Sequence, residues 1–190
     1  MRLLHTVTAE NRNNVLIEGL YYGSEGAKSR DPHAKKTNPF LDAVCPENLK
    51  AQGLSRQKCL YLYLVINEKV LDIEDGRARP IDEWAEEQDE LIVQATVDPT
   101  LAYVSDLDAY DDVAQAIESN ASSDRRQELA DRYWQRIIPL NALHQYRFDQ
   151  HTFTKELAAN PKWPKKLHRI EIMVTADIPP KNLKLIDSET

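Results

Sequence analysis

Glycine and cysteine are both scarce in this chain. Five glycines in 190 residues leave little material for a glycine-rich phosphate loop, and neither Gly-x-Gly-x-x-Gly nor a P-loop occurs. The two cysteines, Cys45 and Cys59, are separated by thirteen residues with no second pair. A structural zinc site needs more ligands at closer spacing, so both are read as reduced, packed thiols. Histidines at 5, 33, 144, 151 and 168 show no ligand spacing, and no His-Glu-x-x-His is present, so no metal is expected. Long apolar runs are missing as well. None approaches the ~20 residues of a membrane span, and the opening residues lack a signal-peptide pattern. The expectation is a soluble, cytoplasmic protein with no membrane partner.

Positive charge is missing from one stretch. Between Ile81 and Ser123 there is no Lys or Arg but there are 12 Asp and Glu, leaving 24 basic and 19 acidic residues elsewhere. This segment is either a solvated acidic face or a surface for a basic partner. Asp106, Asp108, Asp111 and Asp112 resemble an acid-rich helix N-terminus more than a cation loop, because the EF-hand glycine and closing Glu are absent.

What is present is a chain with 42% hydrophobic and 29% charged residues, expected to fold as one domain over 1–190. A short apolar strand ends at His5-Thr6, and Thr8 is a plausible cap for the helix-like stretch that closes at Gly19. A polar loop follows, with Arg30 and His33 as solvated or phosphate-contacting residues. Helix-like 46–54 again ends in Gly-Leu. Cys59 to Ile66 reads as a strand buried on both faces, with a turn at Asn67-Glu68-Lys69. A short acidic helix is expected over 81–89. Two strands joined by a proline-bearing turn fit 91–97 and 101–104, and helices fit 109–117 and 124–137. Leu143, Tyr146 and Phe148 suggest a short strand, and 169–174 and 183–186 two more. Without a regular βαβ rhythm, the fold class is α+β.

One residue stands out chemically. Glu171 interrupts the apolar strand Arg169–Val174. Alternation puts it on the face of Arg169 and Met173, where it is either an outward Glu beside Arg169 or a carboxylate held inside for a purpose. Arg56, three residues before the Cys59 strand, is either a surface loop residue or an anion ligand. Tyr61 and Tyr63 on that strand are core residues or stacking platforms.

The segments "LLHTVTAENRNNVLIEGL" and "HRIEIMVTADIPPKNLKLI" resemble the opening and closing parts of ADP-ribosyltransferase-like proteins, in particular members that modify DNA bases. The resemblance implies a split mixed or antiparallel sheet with peripheral helices, and NAD as substrate. By it, His5 and Thr6 hold the nicotinamide-side ribose, and Tyr61 or Tyr63 stacks on nicotinamide. Arg56 pairs with the pyrophosphate. Glu171 orients the ribose hydroxyl and stabilises the oxocarbenium-like state. The acceptor, nucleic acid or protein, is left open. Two departures matter. The hydroxyl lies directly after His5 at Thr6 or three on at Thr8, and no Gln-x-Glu or Glu-x-Glu pair supports arginine-directed modification. The related RNA 2′-phosphotransferase chemistry needs an Arg-His-Arg cluster that is not found. The rival reading is a non-catalytic interaction module that uses the acidic segment 81–123.

Overall fold

A computed structural model of the chain describes residues 1–23, 33–71, 78–88, 90–143, 155–156, 159, 163 and 169–186. Of the expected features, Arg30, His144, Tyr146, Phe148, His151 and His168 lie outside the described residues. In chain order the elements are β1 (Arg2–Val7), α1 (Arg12–Glu18), α2 (Ala34–Ala43), α3 (Glu47–Lys50), β2 (Leu60–Ile66), β3 (Lys69–Leu71) and β4 (Ala78–Pro80). They continue with α4 (Ile81–Glu86), β5 (Leu91–Thr96), β6 (Ala102–Asp106), α5 (Leu107–Glu118) and α6 (Ser123–Gln135). The last are β7 (Ile138–Pro139), β8 (Ile170–Val174) and β9 (Leu183–Ile186). The class is α+β, built on a sheet whose main path runs β7-β6-β8-β2-β1-β5-β9, with β3 attached to β2 and β4 to β3. Each described strand pairing is antiparallel.

The continuous apolar run of β2 explains its central place. Leu60, Leu62 and Leu64 face a core that includes Leu3, Ile170, Ile172 and Val174. Tyr61, Tyr63 and Val65 point the other way, toward two clusters under the helices. Each fully buried Leu contributes roughly 1.5–3 kcal/mol, so a strand apolar on both faces is stable only in a sheet covered on both sides. The hairpin to β3 turns at Asn67 and Glu68, both at positive φ (51° and 57°), the geometry of a tight two-residue turn.

On the helical face, Leu41 of α2, Tyr110 and Val113 of α5, and Leu129, Tyr133 and Trp134 of α6 pack over Tyr103 and Met173. Asp106 caps α5, accepting from the backbone N–H groups of Asp108 (3.1 Å) and Ala109 (3.2 Å). The acid-rich N-terminus anticipated there is this cap. Gly19, ending α1, has φ +103°, and a Cβ there would lie 2.5 Å from the Ile178 carbonyl. That close approach seats the Leu20–Ile178 bridge, which ties the first helix to the segment before β9.

Two expectations are modified. The strands at 91–96 and 102–106 form, but they do not pair with each other. After the proline turn, β5 lies between β1 and β9 while β6 lies between β8 and β7. Leu143, read as part of a strand, instead follows a 3-10 turn over Leu140–Ala142. Among the described residues, no helix is long and apolar enough to cross a membrane.

Candidate functional site

The sheet forks next to its first histidine. β1 and β2 share only the pairs Leu3↔Leu64 and Leu4↔Tyr63. Beyond them β1 pairs with β5 alone, through His5↔Val93, Thr6↔Ile92 and Val7↔Leu91. The first half of β2, Leu60–Leu62, pairs instead with β8. His5 bridges the opening, with Nδ1 3.0 Å from the Tyr61 carbonyl oxygen. A carbonyl only accepts, so the hydrogen-bond network assigns the proton of the neutral ring to Nδ1 and leaves Nε2 as an acceptor. Burial pushes the imidazole below its ordinary pKa, which favours that neutral form. Of the two candidate hydroxyls, Thr8 Oγ1 already accepts from Asn11 Nδ2 (3.1 Å), while Thr6 lies half-buried next to His5.

Tyr61 links the fork to a buried charge pair. Its hydroxyl donates to the Arg56 carbonyl, and its ring centroid lies 4.4 Å from the Arg56 guanidinium carbon. Tyr110 flanks the same guanidinium at 4.2 Å, an arrangement that favours a cation between aromatic faces. Arg56 Nη1 donates to Glu171 Oε1, and to the Tyr133 hydroxyl at 3.1 Å. Ser105, the register partner of Glu171 across β6 and β8, donates to the same Oε1 at 3.1 Å and lies 3.1 Å from the Tyr133 hydroxyl. Arg56 is 5% exposed and Glu171 6%. Burial opposes the charge on Arg56, but Glu171 holds the guanidinium well above its ordinary range. Burial likewise pushes the hydroxyls of Tyr61 and Tyr133 up, so both remain protonated donors near neutrality.

The loop that carries Arg56 is clamped from α2. Asp42 accepts from Ser55 Oγ (2.7 Å), the Arg56 backbone N–H (2.5 Å), and the Gln57 N–H (3.2 Å) and side-chain amide (3.1 Å). One turn earlier on the helix, Asn38 Oδ1 accepts from Tyr110 (3.0 Å) and faces Arg56 Nε at 3.5 Å.

These contacts correct two alternatives from the sequence. Glu171 is not an outward carboxylate beside Arg169, because β8 is interior and covered on both faces. Arg169 turns instead to Asp108 and Asp111 of α5. Nor is Arg56 a solvated loop residue. Tyr63 packs against Trp84, with ring centroids 4.7 Å apart, in a separate cluster from Tyr61. The structure thus brings His5, Tyr61, Arg56 and Glu171 into one connected chain of contacts, with Thr6 beside them.

Asn38, Asp42, Ser105, Tyr110 and Tyr133 escaped the sequence reading. Tyr133 lies with Leu129 and Trp134 on the apolar stripe of α6, a setting that gives no sign of a polar role. Asn38 and Asp42 did carry a signal, two polar residues four apart that share one face of a short helix.

Among the described residues, six of the twelve acids of the acidic segment meet a basic residue of the chain. Glu87 meets Arg79, Asp106 meets Arg136, Asp108 and Asp111 meet Arg169, Asp112 meets Arg132, and Glu118 meets His33. Both cysteines are free and buried. Burial raises Cys45 to about 11 and Cys59 to about 12, which disfavours the reactive thiolate. Among the described residues, no group of three or more His, Cys, Asp or Glu could hold a metal ion. No family model, curated protein or solved structure matches the chain, so the reading of the site rests on its own residues.

Proposed function

We propose that this chain is an ADP-ribosyltransferase-like protein. It would break the nicotinamide–ribose bond of NAD and transfer ADP-ribose to a nucleic-acid or protein acceptor, on a split antiparallel sheet of that type. The observation that carries the reading is the fork at His5, joined through Tyr61 to Arg56 in the loop before β2 and to Glu171 on β8. A ligand seated at the fork meets, in order, a neutral histidine acceptor, an aromatic ring, a fixed cation and a carboxylate.

Each group has a role in that chemistry. His5 Nε2 accepts from a ribose hydroxyl, with Thr6 beside it. Arg56 draws the pyrophosphate, and a guanidinium suits phosphate geometry better than an ammonium would. Glu171 supplies negative charge close to the ribose carbon as the C–N bond breaks and nicotinamide leaves with the electron pair. Preorganised charge in a largely dry site is an effective way to stabilise such a cation. The acceptor then bonds to that carbon and passes its proton to the Glu171 carboxylate. The aromatic role falls to Tyr61, because it contacts both His5 and Arg56 whereas Tyr63 lies against Trp84 in a separate cluster.

A second reading has its own supporting observation. Arg56 and Glu171 are almost wholly covered, as expected of a silent protein that keeps the pair for structure. An interaction module built on the acidic segment draws less support, because many of those acids already meet cations of the same chain.

The test is NAD binding by calorimetry together with nicotinamide release, on wild type, His5→Ala and Glu171→Gln. Transferase function predicts saturable binding that weakens in His5→Ala and release that is lost in Glu171→Gln. No binding at millimolar NAD sinks it in favour of the silent reading.

A further inference from the structure

The hydrogen bonds of the Arg56–Glu171 pair are one-sided. Among the described residues, Glu171 accepts only through Oε1, from Arg56 and Ser105. Arg56 donates through Nη1, to Glu171 and Tyr133, and more weakly through Nε to Asn38. No hydrogen bond among those residues uses Arg56 Nη2 or Glu171 Oε2. The only fully buried described side-chain nitrogens or oxygens without a partner belong to Arg126 and Arg136. Neither Arg56 Nη2 nor Glu171 Oε2 is among them, so each keeps some exposure, and no described residue bonds to either.

We propose that Ser105 and Tyr133 are positioning residues, gripping the inner half of the Arg56–Glu171 pair so that Nη2 and Oε2 are presented together to the ligand. This rests on the transferase reading for the identity of the ligand, but not for the grip itself. The pair then works intact. An incoming molecule that carries an acceptor oxygen beside a donor hydroxyl meets both free atoms without having to break the ion pair. Breaking it would strand one buried charge, a cost that few ligands would offset. The Tyr133 hydroxyl suits the inner role. It touches Arg56 and Ser105 and lies 3.5 Å from Met173 Sδ, with burial keeping it protonated. Ser105 is fixed by register directly opposite Glu171.

Arginine-labelled protein gives a direct test. Side-chain 15N spectra report whether the Arg56 guanidinium is locked, since a held group shows separate Nη1 and Nη2 signals and a rotating one shows them merged. Arg56→Lys assigns the signals. Wild type is expected to show separate signals that survive saturation with NAD. In Tyr133→Phe and Ser105→Ala the signals are expected to merge. Nicotinamide release should then fall in kcat by about 10²-fold with KM nearly unchanged, since loss of alignment acts on the reacting geometry. Separate signals and wild-type kcat in both variants would overturn the proposal, as would loss of the separate signals when NAD binds to wild type. If wild type neither binds NAD nor releases nicotinamide, the transferase reading fails by itself. The spectra then still decide the grip, which is overturned if both variants keep separate signals and upheld if the signals merge.

Discussion

Asp106 and Glu171 are both buried carboxylates on adjoining strands, each facing an arginine, yet the fold uses them very differently. Asp106 ends β6, and its two oxygens are both consumed. Oδ1 caps α5 through two backbone N–H groups, and Oδ2 accepts from Arg136. Every part of that residue is explained by holding a helix in place. Glu171 lies inside β8 and caps nothing, and among the described residues it meets no backbone donor and only one of its oxygens is engaged. Buried charge is costly, so a residue that leaves half of its hydrogen-bonding capacity idle is poorly explained by stability. The lesson is one of accounting. Where the local structure absorbs all the valence of a buried carboxylate, it is architecture; where some is left over, there is room for a ligand.

Breaking the architectural member should have the largest effect on stability. Asp106→Ala removes the cap of α5 and leaves Arg136 without its counter-ion, and should cost about 3–5 kcal/mol in urea unfolding. Its surviving folded fraction should bind NAD as wild type does. A loss below about 1 kcal/mol would undo the contrast from that side. Glu171→Gln should be told apart by its effect on release. It keeps the shape and an acceptor for Ser105 but removes the charge that offsets the buried Arg56 guanidinium, so unfolding should shift by about 3 kcal/mol, the lower end for a stranded buried charge. Nicotinamide release should fall by at least ~10²-fold, the scale of removing a preorganised electrostatic group. Equal release in the variant and wild type would place Glu171 with Asp106 as architecture. A smaller effect is expected at Asp42. Asp42→Ala frees the 55–57 loop, costing about 1 kcal/mol and weakening NAD binding roughly tenfold, because Arg56 loses its anchored backbone. Unchanged affinity in calorimetry would show that the tyrosines alone hold the guanidinium.

Much of the framework was legible because it is local. The apolar run of β2, the Asn67-Glu68 turn, the glycine stop at 19 and the two long helices each follow from neighbouring residues and simple periodicity. Long-range order was not legible in the same way. Nothing in 91–106 says that the strands on either side of Pro99 join opposite parts of the sheet, because that choice depends on what β1 and β8 offer as partners. The fate of Glu171 turned on the same non-local fact. Alternation put it opposite Ile170 and Ile172, but whether solvent or protein covers its face is not local information, and α2, α5 and α6 occupy it. Arg56 and Glu171 stand out by their place in the sequence and take their roles from the resemblance, whereas their supports were invisible. A tyrosine in an apolar stripe and a serine within a strand carry no mark of a polar network until the fold brings them to 3.1 Å.

The smallest and most discriminating effect is expected at the fork, where His5 differs from a purely structural titrating group such as Asp98. Hydrogen bonds from Thr100 lower the Asp98 carboxyl from its ordinary 3.8, so its contribution is present above that pH and lost as pH falls through the lower folded value. NAD affinity should not follow it. His5 is shifted down from 6.5 by burial, so the folded chain prefers the neutral ring. Below pH 6.5 the unfolded chain takes up a proton that the folded one still refuses. Stability from His5 is therefore complete above 6.5 and declines as pH drops toward the folded value. In thermal melts, the difference between wild type and His5→Gln should shrink over that interval. Affinity obeys a different threshold. The ring accepts through Nε2 only while neutral in the folded state, so NAD binding should hold as pH passes 6.5 and weaken only near the lower folded pKa. Two separate onsets, stability first and affinity second as pH falls, would mark His5 as a residue that serves both the fold and a ligand. A stability change without the later loss of affinity would return it to the same class as Asp106.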